Sequence, residues 1–291
     1  MTDTSTAPAP ESTSTSTSTT TYTLGHSPAV LSSHSWRTIS NSALYLLPYL
    51  SATKPLALLD VGCGPGTLTL DFATHLPLGH VTGLDLGESV IASATALAAE
   101  RGVSNVDFLV ADILTLPDSG LLEGRKFDII HAHQTICHIP NALGAIRVLK
   151  QFLKPTGILA LRDAHIPMIT YPPLPLLTRY FDIFRLNIIG AGCSGNTGVE
   201  LLPLVLKAGF KREMVTVSAG TWCFTDKDLR EWWGETNARR IEGREMMDNA
   251  IKHADATREE CLEIAKAWRE WTTNEEGQWI AVHFEVIARL Q

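Results

Sequence analysis

Residues 58–67 read Leu-Leu-Asp-Val-Gly-Cys-Gly-Pro-Gly-Thr, an apolar run ending in glycines at 62, 64 and 66 with one carboxylate, Asp60, just ahead of them. Glycine at alternate positions lets the backbone turn sharply and approach a ligand with no Cβ in the way. A helix starting directly afterwards adds unpaired N–H groups to the same spot. The spacing is G-x-G-x-G, with Pro65 and Thr67 around the last glycine, and differs from the G-x-G-x-x-G of pyrophosphate-binding turns. A cationic or zwitterionic ligand suits a turn led by a carboxylate better than a pyrophosphate does. Asp85 closes the next apolar run, about twenty residues on, where an acid accepts both hydroxyls of a ribose. A helix N-cap is the alternative role for Asp85.

These residues need strand ends to hold them, and the pattern supplies them. From residue 57 the chain alternates short apolar runs with helical stretches, the signature of a parallel sheet covered on both faces. Strands are predicted at 57–61, 80–86, 105–111, 127–133 and 157–162, with helices after the glycine turn, at 89–101 and at 143–153. Beyond residue 163 the regularity breaks into a proline-rich stretch at 171–175, a helical run at 176–186, a glycine-rich turn and a helix at 197–208 that stops on Gly209. A sixth strand is predicted at 214–219 and a seventh at 279–288, with about fifty residues of helical composition between them. Residues 1–21 are rich in serine and threonine and hold no large apolar residue after Met1, so they read as a disordered tail.

The unbroken run from Asp60 to Gly66 resembles the first motif, (D/E)-x-G-x-G-x-G, of the class I S-adenosylmethionine-dependent methyltransferases. The resemblance covers most of residues 22–291 and is strongest over 57–163. It implies an α/β, Rossmann-like seven-stranded methyltransferase sheet, mostly parallel with the last strand antiparallel beside the fifth. Helices lie on both faces, and a helical insertion precedes the last strand. The implied cofactor is S-adenosyl-L-methionine, and its product S-adenosyl-L-homocysteine. Asp60, Gly62, Cys63, Gly64, Pro65, Gly66 and Thr67 then belong to the turn around the cofactor's amino-acid end, and Asp85 and Leu86 to its ribose. Ala111, Asp112 and Ile113 follow the third strand, where the family places an acid on the adenine amino group beside an apolar residue on the ring. A capping Asp in an ordinary loop is the alternative for Asp112.

Residues 127–140 match the family's motif after the fourth strand, which places His131 and His133 by the methionine ammonium and turns His133 and Gln134 toward the acceptor. His131 and His133 share one strand face, an arrangement that also raises metal binding; no third ligand at suitable spacing accompanies them, and no metal is expected. Residues 26–38 are similar to the segment preceding the first motif in a small-molecule branch of the ubiquinone and menaquinone biosynthesis type, with fungal and actinobacterial members. There the N-terminal segment folds over the cofactor, which puts Arg37 on the methionine carboxylate, with Tyr22 and His34 lining the pocket. A surface ion pair is the other role open to Arg37. Helical lid elements are expected at about 22–52, 164–200 and 225–275, all within one domain of residues 22–291.

Net charge is −7, which disfavours nucleic acid as partner. The (D/N)-P-P-(Y/F) motif of amino-methylating nucleic-acid enzymes is also missing from the fourth-strand end. Five widely spaced cysteines read as reduced thiols of a cytoplasmic protein. No apolar run reaches membrane-spanning length, and no secretory signal opens the chain. The expected function is methyl transfer to an O, N, C or S nucleophile of a small molecule such as a secondary metabolite or quinone-like compound. His133 or His165 is the candidate base where the acceptor must lose a proton. The alternative is a protein of the same fold that binds S-adenosylmethionine for regulation or for a non-methylating reaction. Oligomeric state is not legible from the sequence.

Overall fold

The computed structural model describes residues 34–290; the Ser/Thr-rich segment and Tyr22 lie outside the described residues. The sheet is built from β1 (Ala57–Val61), β2 (His80–Asp85), β3 (Val106–Val110), β4 (Phe127–His133), β5 (Leu153–Ala164), β6 (Ile169–Tyr171), β7 (Val215–Phe224) and β8 (Gln278–Arg289). The helices are α1 (Ile39–Ser42), α2 (Thr67–His75), α3 (Glu88–Glu100), α4 (Ala142–Gln151), α5 (Pro175–Gly190), α6 (Thr197–Lys207), α7 (Lys227–Glu242), α8 (Arg244–Ala254) and α9 (Arg258–Thr272). The strands run in the order β3-β2-β1-β4-β5-β8, parallel except for β8, which lies antiparallel between β5 and β7. A last strand antiparallel beside the fifth is what the resemblance implies.

Two features exceed the sequence reading. β6 is an added short strand, pairing with the start of β8 where β5 has ended. β5 and β7 each run longer than predicted: Leu153 at the start of β5 pairs with Phe127 of β4, Asp163 and Ala164 at its end pair with β8, and β7 pairs with β8 from Val215 to Phe224. Apolar residues of β1, β4 and β5 are buried from both sides, by α4 and α6 on one face and by α2 with the 39–46 segment on the other. Pro48 lacks the N–H an α-helix needs, and residues Leu44–Tyr49 form a 3-10 helix instead. The fifty-residue insertion is α7, α8 and α9, which bury Trp268 and Trp271 against α5 in a core of their own. A fully buried large apolar side chain contributes roughly 3 kcal/mol, enough to seat this helical layer beside the strand ends.

Strand register aligns polar side chains into rows across the sheet. Asp60 of β1 stands beside His131 of β4. One step nearer the C-terminal strand ends, His133, Arg162, Glu285 and Ser218 stand side by side on β4, β5, β8 and β7. A Cβ at Gly220 would fall 2.5 Å from Glu285 Oε1, so the missing side chain makes room for this row.

Candidate active site

A cleft of about 300 Å³ opens where β1, β2 and β4 end. Gly62 and Gly64 form its floor at φ +68 and +55, conformations natural to glycine. A side chain at Gly62 would meet Thr135 Oγ1 at 2.2 Å, and Thr135 is fixed there by donating to the Val61 carbonyl at 3.1 Å. Asp85 stands at the end of β2 and accepts from the Gly64 amide at 3.0 Å and the Gly87 amide at 3.1 Å. It therefore ties the glycine turn to the start of α3 and keeps further lone pairs for a ligand. Leu86, Ala111, Asp112 and Ile113 line the same cleft, with Asp112 Oδ1 accepting from the Leu114 amide at 2.8 Å. Arg37 closes the cleft from the N-terminal segment.

The other expected cofactor residues stand behind this surface. Cys63, Pro65, Thr67, Asp60 and His133 border a space of about 20 Å³ that shares His34, Arg37, Gly62 and Gly64 with the cleft. Gly66, at φ +82, packs under Ala94 and Phe108, where a Cβ would come within 2.8 Å of Ala94. Asp60 is buried and engaged at both oxygens, accepting from Thr69 Oγ1 at 2.6 Å and from His131 Nδ1 at 2.8 Å. His131 lies against Phe72, ring centroids 4.9 Å apart, and borders none of the cavities described here. These two residues brace the turn from beneath.

A second cavity, about 80 Å³, adjoins the cleft and is walled by Trp36, Tyr180, Phe181, Phe184, Trp222, Trp233 and Trp279. His34, Arg37, Gln134 and His138 border both spaces. Gln134 takes a left-handed conformation, φ +50, directly after β4. Its amide is held at both ends: Oε1 accepts from Arg37, and Nε2 donates to His283 Nε2 at 2.9 Å. Trp36 anchors the N-terminal segment edge-on to Trp222 and Phe224, each 5.2 Å away between centroids. The Trp222 indole in turn donates to the Asn41 carbonyl at 2.6 Å.

The two histidines expected as bases are placed differently from the two at the junction. Arg162, itself buried, donates to His133 Nε2 at 2.8 Å, which fixes the His133 proton on Nδ1 and engages its one lone pair. Burial, with Arg37 and Arg162 adding to it, holds the His133 imidazole well below its ordinary pKa. Arg162 also pairs with Glu285 at 3.2 Å, and Ser218 donates to the other Glu285 oxygen at 2.8 Å. His165 Nδ1 is hydrogen bonded to Asn196 Oδ1 at 3.0 Å, and the residue borders neither the cleft nor the aromatic cavity. At the junction His138 is pushed down to about 4 by burial and by Arg37, so it is neutral at neutral pH. Asp163 is fully buried beside this region, and burial raises its carboxyl to about 7 against the pull of Cys137 and Arg37.

Sequence reasoning did not single out Arg162, Glu285, Asp163 or Thr135. A charged residue inside an otherwise apolar strand, as in Leu161-Arg162-Asp163-Ala164 and Phe284-Glu285-Val286, is the signal that marks three of them. Among the described residues no cluster of three or more potential metal ligands occurs, and no helix is long and apolar enough to cross a membrane.

Residues 52–177 match the family described as a methyltransferase domain. An uncharacterized methyltransferase of Schizosaccharomyces pombe is 27% identical over 275 residues, covering 91% of this chain and 95% of that protein. A probable methyltransferase of Aspergillus luteorubrus is 28% identical over 280 residues, covering 92% of this chain and 96% of its own. Among solved structures, the YcgJ protein of Bacillus subtilis superposes with a TM-score of 0.53 at 17% identity, over 84% of this chain and 96% of its own, a likeness of fold.

Proposed function

We propose that this class I S-adenosylmethionine-dependent methyltransferase acts on a small-molecule acceptor, seated in the aromatic cavity while the cofactor fills the adjoining cleft. The observation that carries this reading is the meeting of the two spaces at His34, Arg37, Gln134 and His138. The cleft fits the cofactor: its floor is glycine where a Cβ would collide with Thr135, and carboxylates stand at the ends of β2 and β3. S-adenosyl-L-methionine, when bound, supplies an electrophilic methyl on a sulfonium sulfur.

In this reading Asp85, with Leu86 beside it, receives the ribose hydroxyls, and Asp112 the adenine amino group, with Ala111 and Ile113 against the ring. Gly62 and Gly64 bring backbone to the amino-acid end, and Arg37 takes its carboxylate through a two-pronged guanidinium contact. Cys63, Pro65, Gly66, Thr67, Asp60, His131 and His133 shape the turn from behind. The aromatic walls exclude water and hold the acceptor against the junction, so rate comes mainly from proximity and alignment. His133, with its lone pair on Arg162, serves as a base only after that bond is broken; His165 needs a movement to reach the junction. A secondary metabolite or quinone-like ring suits the apolar walls, and residues 22–291 form one cytoplasmic domain without nucleic acid as partner.

The test is incubation of the protein with methyl-labelled S-adenosylmethionine and a small-molecule extract of its source. Labelled product heavier by one methylene is expected. Binding of S-adenosylhomocysteine with no labelled product from any fraction would favour the regulatory or non-methylating alternative.

A further inference from the structure

Resting on the reading above, we infer that the aromatic cavity binds a planar ring ketone, such as a quinone or an aryl ketone, whose carbonyl oxygen accepts from the indole N–H groups of Trp233 and Trp279. Other polar groups on the wall are served by the protein. The Gln134 amide is held at both ends, the Tyr180 hydroxyl donates to Asn237 Oδ1 at 2.8 Å, and Asn237 Nδ2 donates to the Trp233 carbonyl at 2.9 Å. The Trp222 indole donates to the Asn41 carbonyl. Trp233 and Trp279 differ. Their Nε1 atoms are buried and meet no acceptor in the protein, while the two rings, 4.6 Å apart between centroids, both border the cavity.

A buried N–H without an acceptor costs free energy, and folded proteins leave few of them. Of the cavities described here, Trp233 and Trp279 border the aromatic one alone, so an acceptor from outside the protein arrives there. A water can serve an indole N–H until a ring enters and displaces it; the ring must then bring an acceptor of its own or lose affinity. A carbonyl oxygen has two lone pairs and no proton, the complement of two donors. A hydrocarbon ring leaves both donors unserved, and an ammonium group only adds more. A flat conjugated ketone also matches the ring walls, which favour stacked and edge-to-face contacts. Neither tryptophan borders the cofactor cleft. The carbonyl therefore sits at the end of the acceptor away from the junction, and the atom that takes the methyl lies toward it.

The experiment adds 1-indanone, 1-tetralone or 9-fluorenone to the full chain saturated with S-adenosylhomocysteine, with indane, tetralin and fluorene as carbonyl-free controls. Equilibrium dialysis reads affinity, and infrared difference spectra read the carbonyl stretch. At least one ketone is expected to bind, with its carbonyl band below the position it has in hexane. Replacing Trp233 or Trp279 by 3-benzothienylalanine puts sulfur in place of the N–H and keeps the size of the ring. Either replacement should weaken that ketone about fivefold or more, raise its carbonyl band, and change the matching hydrocarbon by less than about twofold. The same replacement at Trp268, a buried indole that borders none of these cavities, should leave ketone binding unchanged. No ketone binding at any ring size, a wild-type band at its hexane position, a band the replacements do not move, or equal losses for ketone and hydrocarbon would overturn the inference. Failure of S-adenosylhomocysteine to bind the wild-type protein would instead overturn the cofactor reading. Its affinity for each variant reports that the variant is folded.

Discussion

Replacing Asp85 with alanine probes the cofactor site at its most connected point. The carboxylate holds two backbone amides, Gly64 at 3.0 Å and Gly87 at 3.1 Å, one on each oxygen. A carboxylate has about four acceptor positions, so about two are left for the hydroxyls of a ribose. Hydrogen bonds to a charged acceptor are worth about 1.5–3 kcal/mol each. Two of them amount to about 3–6 kcal/mol, a loss of about 10²- to 10⁴-fold in affinity at 1.4 kcal/mol per decade. The two amides border an open cleft, where water replaces the lost acceptor, and the cost to folding should stay near 1 kcal/mol. Asp85→Asn should fail almost as badly, because an amide nitrogen would face one of the two N–H groups. Calorimetric titration with S-adenosylhomocysteine, paired with thermal unfolding of each variant, measures both quantities. An affinity within about threefold of wild type in Asp85→Ala, with unchanged Tm, would refute the ribose assignment.

Gly62→Ala should weaken S-adenosylhomocysteine binding tenfold or more in the same titration, since it combines φ +68 with a contact of 2.2 Å to Thr135; Gly64→Ala, whose nearest neighbour is His34 at 3.7 Å, should do less harm. Arg162→Met leaves Glu285 buried without its cation and should cost about 3–5 kcal/mol in urea unfolding, while Arg162→Met combined with Glu285→Leu should recover most of the loss. For Asp163 the carboxyl rises from 3.8 to about 7 on folding, so the native state binds the extra proton. Stability therefore falls as pH rises from about 4 to about 7, by about 4 kcal/mol in all at 1.36 kcal/mol per unit. Asp163→Asn should match the wild type near pH 4 and exceed it in Tm at pH 8; a difference independent of pH would rule this out.

The sheet was legible because its strands are short, apolar and separated by helices, and because Asp60 to Gly66 is an uninterrupted motif. Asp85, Leu86, Ala111, Asp112 and Ile113 were legible for a related reason: in a parallel sheet the residues just past each strand all face one edge, and the cleft lies there. What the local pattern did not reveal was depth. Asp60 and His131 look like ligand residues in one dimension, yet strand register sets them side by side inside the sheet, where His131 Nδ1 is bonded to Asp60. His133 is likewise captured by Arg162, its neighbour in register on the next strand. Such pairs depend on which strands adjoin, and no window of sequence contains that. The walls of the aromatic cavity are drawn from the N-terminal segment, α5, β7, α7 and β8, and no single window of sequence contains that assembly.

Proton handling at the junction is then constrained by the chain itself. A general base needs an available lone pair and a pKa near the working pH. His133 lacks the first, because Arg162 occupies Nε2 and the proton sits on Nδ1. His138 lacks the second, being held at about 4. Asp163 has a carboxyl near 7, but its place is beneath the cavity wall and not on it. Burial and the positive charge of Arg37 thus act together on His133 and His138, and both imidazoles are held neutral for the same physical reason.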